Sequence, residues 1–171
     1  MNRLLGIDLG ERRIGLALAD DDASAAVPLA TVRRARRLEG DITTLRRVVA
    51  EQHIAGLVVG LPLEASGADG PQARLTRTWA EAVSEALGVP LSYRDERLTS
   101  HLAEERLGPM PRGRSGGPPT AHQREVYRAR VDREAAAIIL QDELDARAAT
   151  AAASLDPRSA PPGRASGGDR V

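Results

Sequence analysis

Residues 3–19 read RLLGIDLGERRIGLALA. Arg3 to Leu9 is short, apolar and stopped by Gly10, and Ile14 to Ala19 resumes after a charged turn at Glu11, Arg12 and Arg13. Two such runs around a tight polar turn predict a β-hairpin. Val27 to Val32 predicts a third strand, with Pro28 tolerated if that strand lies at a sheet edge. The first third of the chain is therefore expected to be antiparallel.

Beyond it the period changes. Ile42, Leu45 and Val49 recur at helical spacing, and Asp41 offers a carboxylate to the first free amides of that helix. Leu57 to Leu61 is a buried-strand type of run ended by Pro62. The turn formers Ser66, Gly67, Asp69 and Gly70 precede Pro71 at a first helical position, and Leu75, Trp79, Val83 and Leu87 form an apolar stripe that Gly88 ends. Val89 to Tyr93 is a short strand closed by Arg94, Asp95, Glu96 and Arg97. Strands alternating with helices imply parallel pairing, so the fold class is α/β. A short helix over 99–107 leads into the segment 108–123, whose four Gly and four Pro exclude regular structure. Residues 124–147 predict a final helix with Val131, Ala135, Ile138 and Ile139 on its apolar side. One domain is expected over residues 1–147. Residues 148–171, rich in Ala, Ser, Pro and Gly, are expected to be a disordered tail.

Composition narrows the chemistry. The 171 residues carry 24 basic and 24 acidic side chains, so affinity for nucleic acid requires a local patch. Every basic residue is Arg; the absence of Lys and Cys excludes Schiff-base lysines, a lysine P-loop, disulfides, thiolate nucleophiles and cysteine-held zinc. The aromatics are Trp79, Tyr93 and Tyr127 alone, which disfavours base stacking. No run approaches a membrane span and no signal peptide is evident, so a cytoplasmic protein is expected, with no membrane partner.

Three carboxylates stand out. Asp8 follows Leu4, Leu5 and Ile7 in a strand, where a charge is costly unless a metal ion or hydrogen-bond donors compensate it; a turn cap at Gly10 is the equal alternative. Glu96 ends a parallel-sheet strand, where open α/β sheets place ligand-facing groups, with Asp95 free to pair with Arg94 or Arg97. Asp132 sits beside the buried stripe of the last helix, with Arg128 four residues earlier as its candidate salt-bridge partner. Three acids from separate elements make sense as one site for Mg2+ or Mn2+, which prefer oxygen ligands. Such ions promote attack of water on a phosphodiester without Lys, Cys or an aromatic group. Arg112, Arg114, Arg124, Arg128 and Arg130 face Glu125 alone between residues 107 and 131, a patch that would draw a phosphate backbone. Arg33, Arg34, Arg36 and Arg37 form a second basic run, read as a solvated connection with a further nucleic-acid contact as the alternative. His53, His101 and His122 show no ligand spacing.

In order along the chain, Gly6-Ile7-Asp8-Leu9-Gly10, Arg13-Ile14-Gly15-Leu16-Ala17, Val59-Gly60-Leu61-Pro62-Leu63, Asp95-Glu96-Arg97-Leu98-Thr99 and Val131-Asp132 leading into Ala135-Ala136 and Ile139-Leu140-Gln141 resemble the YqgF family. These are RNase H-like proteins, also called RuvX and related to Holliday junction resolvases. The resemblance covers residues 3–145. It implies a mixed five-stranded sheet flanked by helices and a nuclease that matures precursor 16S ribosomal RNA, with Asp8, Glu96 and Asp132 as its acidic, metal-holding site. A DNA nuclease, including a junction resolvase, and a non-catalytic nucleic-acid-binding or ribosome-assembly factor are the rival readings. Two departures stand in this chain: Glu64-Ala65-Ser66-Gly67 replaces an Asn-Met-Asp-Gly-like run, and Ala19 replaces a common Ser.

Overall fold

In the computed structural model, which describes residues 3–23, 25–113 and 116–154, the hairpin forms as expected. Strand β1 (Arg3–Leu9) pairs antiparallel with β2 (Arg13–Asp20), and β2 with β3 (Val27–Arg33). Pro28 lies on the edge strand, where its missing N–H costs no ladder bond on the open side, and the register shifts between Leu16 and Ala17 as that stretch is paired. After helix α1 (Leu38–Gln52), strand β4 (Ile54–Leu61) pairs parallel with β1; helix α2 (Pro71–Leu87) returns the chain to β5 (Leu91–Asp95), parallel to β4. The sheet order is β3-β2-β1-β4-β5, the mixed five-stranded sheet implied by the resemblance. Helices α3 (Thr99–Leu107) and α4 (Ala121–Ser154) complete the fold. Among the described residues no helix is long and apolar enough to cross a membrane.

Alternation along the strands divides the core in two. Leu5, Ile7 and Leu9 of β1 pack with Leu45 of α1 and Trp79 and Val83 of α2. Leu4 points the other way, into a cluster with Ala136, Ile139 and Leu140 of α4. Period-two geometry sends Asp8 to that same α4 face. The close approach of α4 depends on small residues: a Cβ on Gly6 would meet Ala136 O and Leu140 Cβ at 2.7 Å.

Several local expectations are corrected. Helix α1 begins three residues before Asp41, and Asp41 does not cap it. Its buried carboxylate accepts hydrogen bonds from the Trp79 indole (3.0 Å) and the Ala35 amide (2.8 Å) and pairs with Arg34, tying α2 to the β3–α1 connection. Leu75 is exposed, and the buried stripe of α2 runs through Ala73, Thr76, Trp79, Ala80 and Val83. Helix α4 starts at Ala121 because Thr120 and Gln123 cap it reciprocally: the Gln123 amide donates to Thr120 Oγ1 (3.1 Å) and the Thr120 amide to Gln123 Oε1 (2.8 Å). Residues 148–154, expected to be disordered, continue α4. Their alanines favour helix without needing anything to bury, and Arg147 fastens the approach to Glu143 and Asp21. The rest of the proposed tail, 155–171, lies outside the described residues.

Candidate active site

Asp8 stands on the central strand of the sheet, opposite Gly15 of β2. On its other side the β1–β4 register runs to Ile7 opposite Val59, so Gly60 follows next to Asp8. The two glycines leave the room that the other acids occupy. A Cβ on Gly15 would lie 2.0 Å from the Asp132 carbonyl oxygen, which means that α4 presses its backbone at Asp132 directly onto β2. A Cβ on Gly60 would lie 2.2 Å from Glu96 Oε2, so the Glu96 side chain folds back from the end of β5 over β4. Asp132 and Glu96 thus approach Asp8 from opposite sides, over a row running Gly15, Asp8, Gly60.

The electrostatics agree with that arrangement. Burial, and next the Asp132 charge, push the Asp8 carboxyl from 3.8 up to about 7. Burial, followed by the charges of Asp8 and Asp95, pushes Glu96 from 4.5 up to about 8. Glu96 Oε2 is buried, and among the described residues it has no hydrogen-bond partner. A buried carboxylate oxygen left in this state is costly unless a proton or a cation occupies the space beside it. The donors here are all oxygens, the set that suits a hard divalent ion.

Asp132 is held differently. Arg13 Nε donates to its Oδ2 (2.5 Å), while Arg13 Nη1 reaches Glu125 Oε1 (3.1 Å). Its partner is therefore Arg13, at the start of β2, and not Arg128. Among the described residues no three Asp, Glu, His or Cys side chains close into a ready ligand set; Asp8 and Glu96 share one space, and the Asp132 carboxylate is drawn toward Arg13. Asp95 takes the second partner foreseen for it, accepting from the Arg97 amide (3.0 Å) and Arg97 Nε (2.7 Å), whereas Arg94 pairs with the buried Glu143. His101 pairs with Glu105 on the surface of α3.

The arginine patch divides. Arg128 lines a small cleft with Gly10, Arg13, Glu125 and Asp132, beside the acids. Arg112 and Arg124 are exposed at the loop end of α4, with Arg124 Nη1 donating to the Pro119 carbonyl. Arg130 faces a separate groove with Pro28, Leu29 and Leu107, and Arg114 lies outside the described residues. Arg13, Gly15 and Gly60 carry weight that their sequence positions alone did not reveal. For Gly15 and Gly60 the signal was a glycine inside an apolar strand, a mark of close approach by another group; Arg13 carried none.

Against known proteins, the RuvX family model, described as a Holliday junction resolvase, matches residues 2–146. The chain belongs to the RuvX family. A RuvX relative from Anaeromyxobacter sp. (strain Fw109-5), named "Putative pre-16S rRNA nuclease", is 46% identical over 145 residues, 85% of this chain and 98% of its own. One of the same name from Thermosynechococcus vestitus is 43% identical over 155 residues, 91% of this chain and 95% of its own. Among solved structures, Thermus thermophilus RuvC in complex with Holliday junction substrate superposes with a TM-score of 0.51 at 16% identity, covering 88% of this chain and 98% of that one. At that identity the likeness establishes the RNase H-like fold shared by RuvX and RuvC.

Proposed function

We propose that this RuvX protein is a nuclease that hydrolyses phosphodiester bonds of precursor 16S ribosomal RNA in the cytoplasm, with Asp8, Glu96 and Asp132 as its catalytic acids. The observation that supports the site assignment is the row Gly15, Asp8, Gly60, where the Glu96 side chain folds over Gly60, the Asp132 backbone rests on Gly15, and Asp8 feels the charge of Asp132 while Glu96 feels that of Asp8. Asp8 and Glu96 would hold Mg2+ or Mn2+, with Asp132 joining them once Arg13 is drawn away. A divalent cation bound there supplies the positive charge that lets water attack phosphorus and steadies the departing oxygen. The protein's own part is to keep the acids together at a cost in repulsion, to exclude bulk water from Glu96, and to present Arg13 and Arg128 beside them for phosphate oxygens. Arg112 and Arg124 would extend the grip along the strand.

Asp8→Asn tests this reading. It should abolish cleavage of a precursor 16S RNA fragment while leaving binding of that fragment intact; cleavage at the unaltered rate would remove Asp8 from the chemistry. The family description favours one second reading, a nuclease on branched DNA. Cleavage of a four-way DNA junction in preference to the RNA fragment, by the same protein and lost in the same variant, would select it.

A further inference from the structure

A cleft of about 840 Å3 opens between the β1–β2 turn, the end of β3 and the first half of α4; none of Asp8, Glu96, Asp132 or the arginines of the 108–130 segment lines it among the described residues. Five arginines line it, Arg12, Arg13, Arg33, Arg34 and Arg36, together with two acids, Glu11 and Glu125. Two are already engaged: Arg13 with Asp132 and Glu125, and Arg34 with Asp41 and the Gly10 carbonyl. Arg12, Arg33 and Arg36 are exposed, and among the described residues no acid pairs with them.

The fold assembles these charges deliberately close. Arg13 and Arg33 are cross-strand partners in the β2–β3 register, a like-charge juxtaposition that destabilises a sheet. The Arg34 amide donates to the Arg12 carbonyl (2.9 Å), which clamps the β1–β2 turn to the end of β3. The Thr31 hydroxyl donates to the Ala129 carbonyl (2.5 Å), fixing α4 to the wall of the cleft. With five arginines against Glu11 and Glu125, the wall keeps an excess of positive charge, carried by Arg12, Arg33 and Arg36, which favours an anionic occupant. Among the described residues no aromatic side chain lines the cleft, so the occupant is recognised by charge and not by stacking. A smaller cleft of about 360 Å3 shares Arg12, Arg13 and Glu125 with it and continues to Arg128 and Asp132. The two form one path leading to the acids.

We propose that this cleft holds phosphates of the substrate strand beyond the scissile bond, gripped by Arg12, Arg33 and Arg36. The inference rests on the nuclease reading and adds to it a second contact that fixes the course of the strand across β2 and β3. The test is made in the Asp8→Asn background, so that binding is measured without cleavage. A fluorescent single-stranded RNA of mixed sequence is titrated at several salt concentrations, with and without Arg33→Ala and Arg36→Ala together. Loss of two phosphate contacts should lower affinity about tenfold near physiological salt and reduce the slope of log affinity against log salt by about 1.4. The loss should be alike for unrelated RNA sequences, and the melting temperature should not fall, because both side chains are exposed and Arg33→Ala removes the like-charge contact with Arg13. An unchanged slope, or an equal loss in the control Arg46→Ala with Arg47→Ala on α1, overturns the cleft assignment while the nuclease reading stands. Failure of the Asp8→Asn protein itself to bind RNA or DNA overturns both.

Discussion

At the scale of single residues, Asp8 and Glu96 are placed for function at a cost to stability. Their carboxyls titrate at about 7 and about 8 in the folded protein against 3.8 and 4.5 ordinarily. Between those limits the folded chain holds protons that the unfolded chain has released. The pair's contribution to stability is therefore fully present below the ordinary values and is lost as pH rises through 7 to 8. Asp8→Asn should stabilise the cation-free protein, with a gain near zero at pH 4 and on the order of 4 kcal/mol at pH 8. Denaturation scans of both proteins across that range measure it, and a pH-independent difference would contradict the assignment. The two glycines beside Asp8 separate structure from chemistry. Gly15→Ala forces its Cβ into the Asp132 backbone, which cannot yield, and should cost about 2–3 kcal/mol in chemical denaturation. Gly60→Ala meets the movable end of Glu96 as well as Ile139. It should displace the carboxylate and weaken cation binding, read by calorimetry with Mn2+, more than it weakens the fold.

At the scale of elements, α4 bears most of the functional geometry. It brings Asp132 to β2, packs Ala136 and Leu140 over Gly6, and carries Arg124 and Arg128. Its start is fixed by the Thr120–Gln123 reciprocal cap. Thr120→Ala should cost about 1 kcal/mol and fray the first turn, seen as faster amide exchange from Ala121 to Arg124 with exchange at Ile139 unaltered. The cap pattern was readable in Thr120-Ala-His-Gln123, yet the Pro/Gly-rich approach to it suggested a later start. At the far end, the lack of large residues over 148–154 suggested disorder, but alanine makes helix without a partner surface once Arg147 has anchored the preceding turn. In β3 the opposite holds: the proline marked an edge strand from sequence alone, because its missing donor is tolerable only there.

At the scale of the whole molecule, a cation that binds the folded protein and not the unfolded chain must stabilise it. Mn2+ at about a hundred times its dissociation constant should add about 2.7 kcal/mol at pH 8, and Asp8→Asn should abolish the gain. A shift of equal size in that variant would place the ion elsewhere. The antiparallel first third, the α/β class with parallel pairing after it, the tolerance of Pro28 only at a sheet edge, and the choice of Asp8, Glu96 and Asp132 as the acids to weigh were legible in the linear sequence; the order of the strands was not. Apolar periodicity and the energetic oddity of a charge inside a strand are local properties, expressed within a few residues. Three things were decided by tertiary structure: the pairing of Asp132 with Arg13 in place of Arg128, the two glycines that make room beside Asp8, and the gathering of Arg12, Arg33 and Arg36 around one cleft. Each depends on which strands become neighbours and where α4 crosses them. A contact such as Arg13 with Asp132, 119 positions apart, arises only when the sheet closes its register and the helix settles on it.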